Sequence, residues 1–243
     1  MTSQQPSSNR SIQIGGNVSG GMIVSGDNNT VTHQTSTVAG ATSTEEEADK
    51  CKLLLLAANP HHSSQLRLDE EVRDIREGLQ RARDRDRFEI AQRWAVRSRD
   101  VSRALLEELP QIVHFSGRTQ GSAQREDGLH FEDETGQAYL VSSKALTGLF
   151  RLYAQRARIE CVVLNGCYSQ EQATAIAQQV TFVVGLKSTV SERAAIEFAV
   201  GFYDALGSGG PIKFAFESGE VAMDLSGAPY EEAPLLLQGA AAQ

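Results

Sequence analysis

The chain has few cysteines and no long apolar run. These two features argue against a disulfide-rich, a zinc-binding and a membrane-spanning protein. Its 243 residues include three cysteines, Cys51, Cys161 and Cys167, and no Cys-x-x-Cys pair. This pattern argues against a disulfide framework and against a zinc site, so we expect a reducing compartment and no metal. The longest apolar run, Leu53 to Ala58, is far too short to span a bilayer, and the first ten residues contain no apolar signal region. We therefore expect a cytoplasmic protein.

Basic residues are also fewer than acidic residues. The chain has 23 basic and 31 acidic residues, for a net charge of −8, so we expect neither nucleic acid nor a membrane as partner. One region has the opposite sign: from Arg81 to Arg103, eight arginines stand against four acidic residues. We interpret this region as a solvated helix face followed by an edge strand. A docking patch for an acidic partner is the alternative.

The first 49 residues differ in composition from the rest, being rich in Ser, Thr, Gly, Asn and Gln. Within residues 11–31, short aliphatic clusters alternate with Gly- and Asn-containing separators that are typical of tight turns. The pattern fits a coil of short strands that stacks on copies of itself or on a partner, or else a disordered tail. Its GGNVSGG stretch lacks the Lys-Ser/Thr of a phosphate loop, so we expect no nucleotide and no other cofactor.

After Lys52, apolar runs alternate with amphipathic stretches, which is typical of α/β folds. We predict a domain over residues 50–228 and a C-terminal tail over 229–243. Strands joined through helices should be parallel, with right-handed crossovers. The predicted strands are Lys52–Asn59, Phe88–Val96, Gln111–Ser116, Ile159–Asn165 and Thr181–Leu186, with a hairpin over 128–141. The predicted helices are Leu68–Arg83, Asp100–Leu109 with Asp100 as its cap, Ser142–Arg156, Ser169–Gln179 and Ser191–Leu206.

Functional groups of a parallel open sheet gather beyond the carboxyl ends of its strands. Three stretches meet that condition: 60–63 after the first strand, 117–121 after the third and 166–169 after the fourth. The last contains Cys167 directly before a predicted helix. A thiol at a helix N-terminus near an arginine can have its pKa lowered from ~8.5 to roughly 3.5–7.5. Cys167 is therefore the candidate nucleophile, whereas Cys161, in mid-strand, is interpreted as a small buried hydrophobe.

Several motifs in order resemble the bacterial CHAT domains, which are similar in fold to caspases. They are KLLLLAANP, LRLDEEVRDI, PQIVHFSG, CVVLNGCYS and RAAIEFAVGFYDALGSG, and together the resemblance covers Lys52 to about Leu225. It implies a caspase-like three-layer α/β sandwich with a mainly parallel central sheet, preceded by the short β-rich or disordered segment. It also implies peptide-bond hydrolysis by a cysteine nucleophile, with a histidine as proton donor to the leaving amine.

The family pattern is HFSGHG after the third strand and LNACYS after the fourth. Here the cysteine position is Cys167, but the histidine position is Arg118 and the following glycine is Thr119. Arginine has no acceptor lone pair and stays protonated, so it cannot act as a general base and is a very poor acid. Because general acid–base catalysis is worth about 10²–10⁴ in rate, we expect hydrolysis to be impaired or absent.

Other histidines are candidate substitutes. His61 and His62 leave the first strand at the correct edge, whereas His114 lies inside the third strand, where core packing or a buried hydrogen bond is favoured. Gly117 and Gly166 are candidate backbone donors to an oxyanion.

The adjacent acidic residues Asp69 and Glu70 begin a predicted helix. Stabilisation of the first helical turn is the favoured interpretation of this pair. Binding of a basic substrate residue is the weaker alternative.

Three functions stay open. The first is an effector of a bacterial conflict, defence or programmed-death system with an impaired or inactive site, as the resemblance implies. The second is an active cysteine endopeptidase that uses Cys167 with His61 or His62. The third is a non-enzymatic assembly module. The expected partner is a polypeptide substrate or a protein, with homo-oligomerisation or co-assembly with a sensor through residues 11–31.

Overall fold

The computed structural model describes residues 50–60, 67–117, 129–165, 170–187 and 189–239. The N-terminal segment 1–49, with its predicted adapter region 11–31, lies outside the described residues.

A six-stranded sheet forms the centre of the described structure, and a two-stranded hairpin forms a second sheet whose Phe131 packs on the same core. In chain order the strands are β1 (Cys51–Ala57), β2 (Phe88–Trp94), β3 (Ile112–Ser116), β4 (His130–Glu132), β5 (Ala138–Leu140), β6 (Cys161–Asn165), β7 (Phe182–Leu186) and β8 (Leu235–Gln238). The large sheet has the order β2-β1-β3-β6-β7-β8, with β4 and β5 forming the predicted hairpin. All neighbouring strands of the large sheet are parallel, except that β7 and β8 are antiparallel.

Helices cover both faces of this sheet. They are α1 (Leu68–Arg81), α2 (Ser98–Glu108), α3 (Ser143–Ala157), α4 (Gln170–Ala177), α5 (Glu192–Gly207) and α6 (Ile212–Ser226). Alternate residues of β1 point to opposite faces: Leu54 and Leu56 pack with α2, α3 and α4, whereas Leu53 and Leu55 pack with α1, α5 and α6. A strand buried on both faces has no polar alternation, which explains the continuous apolar run. The predicted three-layer α/β architecture with a mainly parallel sheet is confirmed.

Two helices start at the predicted serines, which serve as caps, but the predicted cap of α2 was wrong. Ser142 and Ser191 each accept a hydrogen bond from the third residue of the helix that follows, at 3.3 Å. Asp100, in contrast, is itself the third residue of α2, and its carboxylate accepts a hydrogen bond from the backbone N–H of Arg97 at 3.2 Å. An acidic residue at this position reaches back to the cap in the capping box, so α2 begins earlier than predicted.

Two elements near the C-terminus were not predicted. Helix α6 ends at Gly227, whose φ of 64° is a conformation that glycine adopts without strain. Strand β8 pairs antiparallel with β7, with Gly185 opposite Leu235. Residues 229–243, predicted as a C-terminal tail, therefore include the last strand of the sheet.

The arginine-rich region from 81 to 103 includes β2, which is an edge strand as predicted. Much of its charge is neutralised locally. Arg93 pairs with Glu107 and Glu108 at 3.1 and 2.7 Å, and Arg99 pairs with Glu134 at 3.0 Å. These partly exposed ion pairs fit the interpretation of a solvated edge.

Candidate active site at the carboxyl ends of β3 and β6

The two strands that lead to the predicted nucleophile and its partner lie side by side. β3 and β6 are parallel neighbours, and their last residues, Ser116 and Asn165, face each other in register. Arg118 and Cys167 each follow two residues later. Both of these side chains, with Gly166, lie outside the described residues. The described backbone shows that the two chain segments leave one sheet edge from adjacent strands, which are about 4.8 Å apart in any sheet.

The stretch with His61 and His62 leaves the same edge from a different strand. β1 pairs with β3 on the side opposite β6, with Ala57 facing Ser116. Both histidines lie outside the described residues. Their stretch begins two strands from β6, or roughly 10 Å in strand spacing, whereas that of Arg118 begins one strand away.

Gly117 occupies a position that excludes any side chain. A Cβ atom there would lie 2.8 Å from the carbonyl oxygen of Ala58. The two chain segments are held together by a hydrogen bond from the Ala58 N–H to the Ser116 carbonyl, at 3.0 Å. This close backbone approach explains the glycine through packing alone. Its role as an oxyanion donor stays a prediction.

His114 lies in the core and uses both of its ring nitrogens there. Its side chain is fully buried, with Nδ1 2.9 Å from the hydroxyl of Tyr203 and Nε2 2.9 Å from Oε1 of Glu71. These are the buried hydrogen bonds that the sequence favoured for this residue. With both nitrogens occupied, His114 has no free ring nitrogen with which to exchange a proton with a substrate.

Three residues of this buried network were not identified from the sequence: Glu71, Tyr203 and Asn165. Oε1 of Glu71 accepts hydrogen bonds from His114 and from Nδ2 of Asn165, the latter at 2.5 Å. The carboxylate is almost fully buried, with a residue exposure of 5%. A signal was available, because Glu71 lies on the apolar stripe of α1 between Leu68 and Ile75, where a charged residue must find a buried partner.

Asp69 and Glu70 lie in the first turn of α1, as predicted. Glu70 forms an ion pair with Nη1 of Arg67 at 2.8 Å. The position fits stabilisation of the helix start, where the partial positive charge of the helix dipole favours acidic groups. Substrate binding by either residue stays a prediction.

The two cysteines within the described residues are poor nucleophiles. Burial, with a smaller contribution from the charge of Glu160, raises the pKa of Cys51 to about 11. The same two causes raise the pKa of the fully buried Cys161 thiol still further. Both thiols are therefore protonated at neutral pH, and Cys161 fits its interpretation as a small buried hydrophobe.

The described ranges contain neither a cluster of metal ligands nor a membrane-spanning helix. No group of three or more His, Cys, Asp or Glu side chains is placed there to hold a metal ion. None of the helices in those ranges has the length and apolar character needed to cross a membrane.

The sequence model of the CHAT domain family matches residues 21–228, which is most of the chain. The chain belongs to the CHAT domain family. This confirms the resemblance carried by the motifs around β1, β3 and β6. The match begins at residue 21, well before the boundary at residue 50 that composition predicted.

Two curated relatives of this CHAT domain are described as proteases. A probable protease from Gillisia limnaea is 30% identical over 157 residues, which cover 65% of this chain and 27% of that protein. A Roc-COR-CHAT protease from an unknown prokaryotic organism is 28% identical over 199 residues, covering 77% of this chain and 18% of that protein. The matched part is thus only about a quarter or less of either relative's length.

Two solved structures of cysteine proteases are also similar to the CHAT domain described here. One is a secreted C11 cysteine protease from Bacteroides thetaiotaomicron in complex with an irreversible peptide inhibitor. It has a TM-score of 0.49 at 10% identity, over 70% of this chain and 57% of that one. The other is caspase-1 from Spodoptera frugiperda, with a TM-score of 0.47 at 10% identity, over 78% and 87%.

Proposed function

We propose that the chain is a CHAT-family effector in which Cys167 is kept as nucleophile and Arg118 replaces the proton-donating histidine, so that peptide-bond hydrolysis is impaired or absent. The observation that supports this most is the register of β3 and β6. Because Ser116 and Asn165 are paired, Arg118 and Cys167 each stand two residues beyond matched positions on adjacent strands. Starting points one strand apart, about 4.8 Å, support a dyad between these two residues.

The consequence follows from the two half-reactions. Attack of the Cys167 thiolate on a peptide carbonyl gives a tetrahedral oxyanion, and its collapse breaks the C–N bond only if the leaving nitrogen gains a proton. A guanidinium favours the thiolate by its charge but holds its protons too tightly to give one up. The site should therefore form thiolate readily and expel amines poorly.

Biologically, we propose a role in a bacterial conflict, defence or programmed-death system. The support is family membership together with relatives whose names include protease and Roc-COR-CHAT protease. Their chemistry suggests a polypeptide as substrate or partner. Residues 11–31 would act as an adapter for homo-oligomerisation or for assembly with a sensor. If residues 11–31 mediate assembly, deletion of residues 1–45 should lower the molar mass of the assembly measured by light scattering.

The catalytic proposal is tested by digestion of a peptide library with the wild type, with Cys167→Ala and with the double variant Arg118→His/Thr119→Gly. The expected result is cleavage by the double variant alone. Robust cleavage by the wild type that Cys167→Ala abolishes would contradict the proposal. If His61→Ala/His62→Ala then removed that activity, the active endopeptidase that uses one of these histidines would be the correct function.

A further inference from the structure

One arrangement of protons satisfies both hydrogen bonds of His114 in the buried network around Glu71. Burial, followed by the nearby Cys161 and Glu71, raises the pKa of Tyr203 well above its ordinary value, so the phenol keeps its proton. Nδ1 of His114 lies 2.9 Å from the Tyr203 hydroxyl and can accept that proton. His114 then carries its own proton on Nε2 and donates it to the Glu71 carboxylate. In this arrangement the donors run from Tyr203 to His114 and from His114 to Glu71.

The second donor to Glu71 is the amide of Asn165, and its orientation is also fixed by its partners. Nδ2 faces two acceptors, Oε1 of Glu71 at 2.5 Å and the carbonyl of Ala195 at 3.4 Å. The amide nitrogen must point towards them, so Oδ1 points elsewhere. Within the described residues Oδ1 is buried without a hydrogen-bond partner, and so is the hydroxyl of Ser116, its register neighbour.

Two unsatisfied polar atoms at the paired ends of β3 and β6 are unusual. Burying a polar group without a hydrogen-bond partner is destabilising, and native structures keep few such groups. They lie on the α1–α5 side of the sheet, where Asn165 contacts Glu71 of α1 and Ala195 of α5. A leucine at position 71 would complete the apolar stripe of α1 without burying a charge. Core packing alone therefore does not explain the carboxylate at position 71.

We propose that Glu71 is a positioning residue for the nucleophile, acting through Asn165. Glu71 is held by His114 and fixes the orientation of the Asn165 side chain, at the last residue of β6. Cys167 follows two residues later, so the carboxylate determines where the segment that bears the thiol begins. This inference rests on the proposed role of Cys167, and its test separates the two.

Amide hydrogen exchange of the peptide that contains residues 161–169 reports the positioning directly. Glu71→Leu removes the acceptor and fills the stripe with apolar volume, whereas Glu71→Gln keeps an oxygen for both donors. Tyr203→Phe is the matched control, because it breaks the network at its other end and leaves the Glu71–Asn165 contact intact. Iodoacetamide labelling of Cys167 is measured on the same full-length variants.

In Glu71→Leu we expect exchange over residues 161–169 to rise by about tenfold or more relative to Tyr203→Phe, as loss of a charged hydrogen bond predicts. The labelling rate of Cys167 should change by a similar factor. Glu71→Gln should restore both values to near the wild type. Asn165→Ala should reproduce the Glu71→Leu result, which keeps the test valid if Glu71→Leu fails to fold.

Equal exchange in Glu71→Leu, Asn165→Ala and Tyr203→Phe would overturn the inference, since the network would then support only general stability. If exchange responds as expected but wild-type Cys167 reacts no faster than an ordinary thiol, the positioning stands and the nucleophile assignment fails. If the double variant at positions 118 and 119 gains hydrolysis while exchange is unresponsive, the proposed function stands and the positioning falls.

Discussion

Ser116 and Asn165 face each other as the last register partners of β3 and β6. Their side chains lie on the same face of the sheet, since directly paired residues of neighbouring strands share a face. Everything proposed for the site depends on this pair, because Arg118 and Cys167 each stand two residues beyond it. If the register of one strand shifted by one residue, the side chains that follow it would lie on the opposite face of the sheet.

The leaving group should decide whether the wild type reacts. A thioester or an activated ester expels a thiolate or phenolate that needs no proton, so acylation of Cys167 should proceed where cleavage of the matching amide does not. Deacylation also lacks a general base, and an acyl-enzyme should accumulate. Intact mass spectrometry should show close to one acyl group per chain, absent in Cys167→Ala. Equal turnover of matched ester and amide would contradict this.

Cys51 should be almost silent in thiol labelling near neutral pH. With a pKa of about 11, only roughly one part in a thousand is thiolate at pH 8, and its alkylation should rise about tenfold per pH unit through pH 10. Because the charge of Glu160 contributes to this pKa, Glu160→Gln should increase the rate at pH 9. Site-resolved mass spectrometry measures both. A Cys51 rate that is flat between pH 7 and 9 would contradict the burial argument.

Gly117→Ala should destabilise the fold and the site together. The new Cβ would meet the Ala58 carbonyl oxygen at 2.8 Å, and relief of the clash should cost about 1–3 kcal/mol of unfolding free energy. Gly148→Ala is the matched control, because a Cβ there meets nothing within 4 Å and Gly148 lies inside α3. It should gain about 0.5–1 kcal/mol. Urea denaturation compares the two, and equal effects would count against the close approach at Gly117.

The parallel strands could be predicted because each carries a strong local signal. β1, β3, β6 and β7 are short apolar runs separated by helical periodicity, and that combination specifies a sheet covered on both faces. β8 also contains a short apolar run, Leu235–Leu237 between Pro234 and Gly239, but a run of three residues is too short to predict a strand by itself. Its pairing with β7 depends on tertiary contacts, which the local sequence does not encode.

The site could be predicted only in part, for a related reason. Parallel topology alone brings the three stretches after β1, β3 and β6 to one edge. Periodicity does not give register, so the pairing of Ser116 with Asn165 had to come from the structure. The network of Glu71, His114 and Tyr203 joins elements far apart in sequence. The sequence favoured core packing or a buried hydrogen bond for His114, and the charge at position 71 within an apolar stripe was a second signal, which was not used.

The most direct test of the account is the rate of peptide-bond cleavage with Arg118 replaced. Single-turnover cleavage of a fluorogenic peptide found in the library digest should be measured for the wild type, Arg118→His/Thr119→Gly and Arg118→Lys/Thr119→Gly. We predict that the histidine variant gains about 10²–10⁴ in rate, the contribution of a general acid, and that the lysine variant gains nothing. Cleavage by the wild type as fast as by the histidine variant, dependent on Cys167, would contradict the central claim.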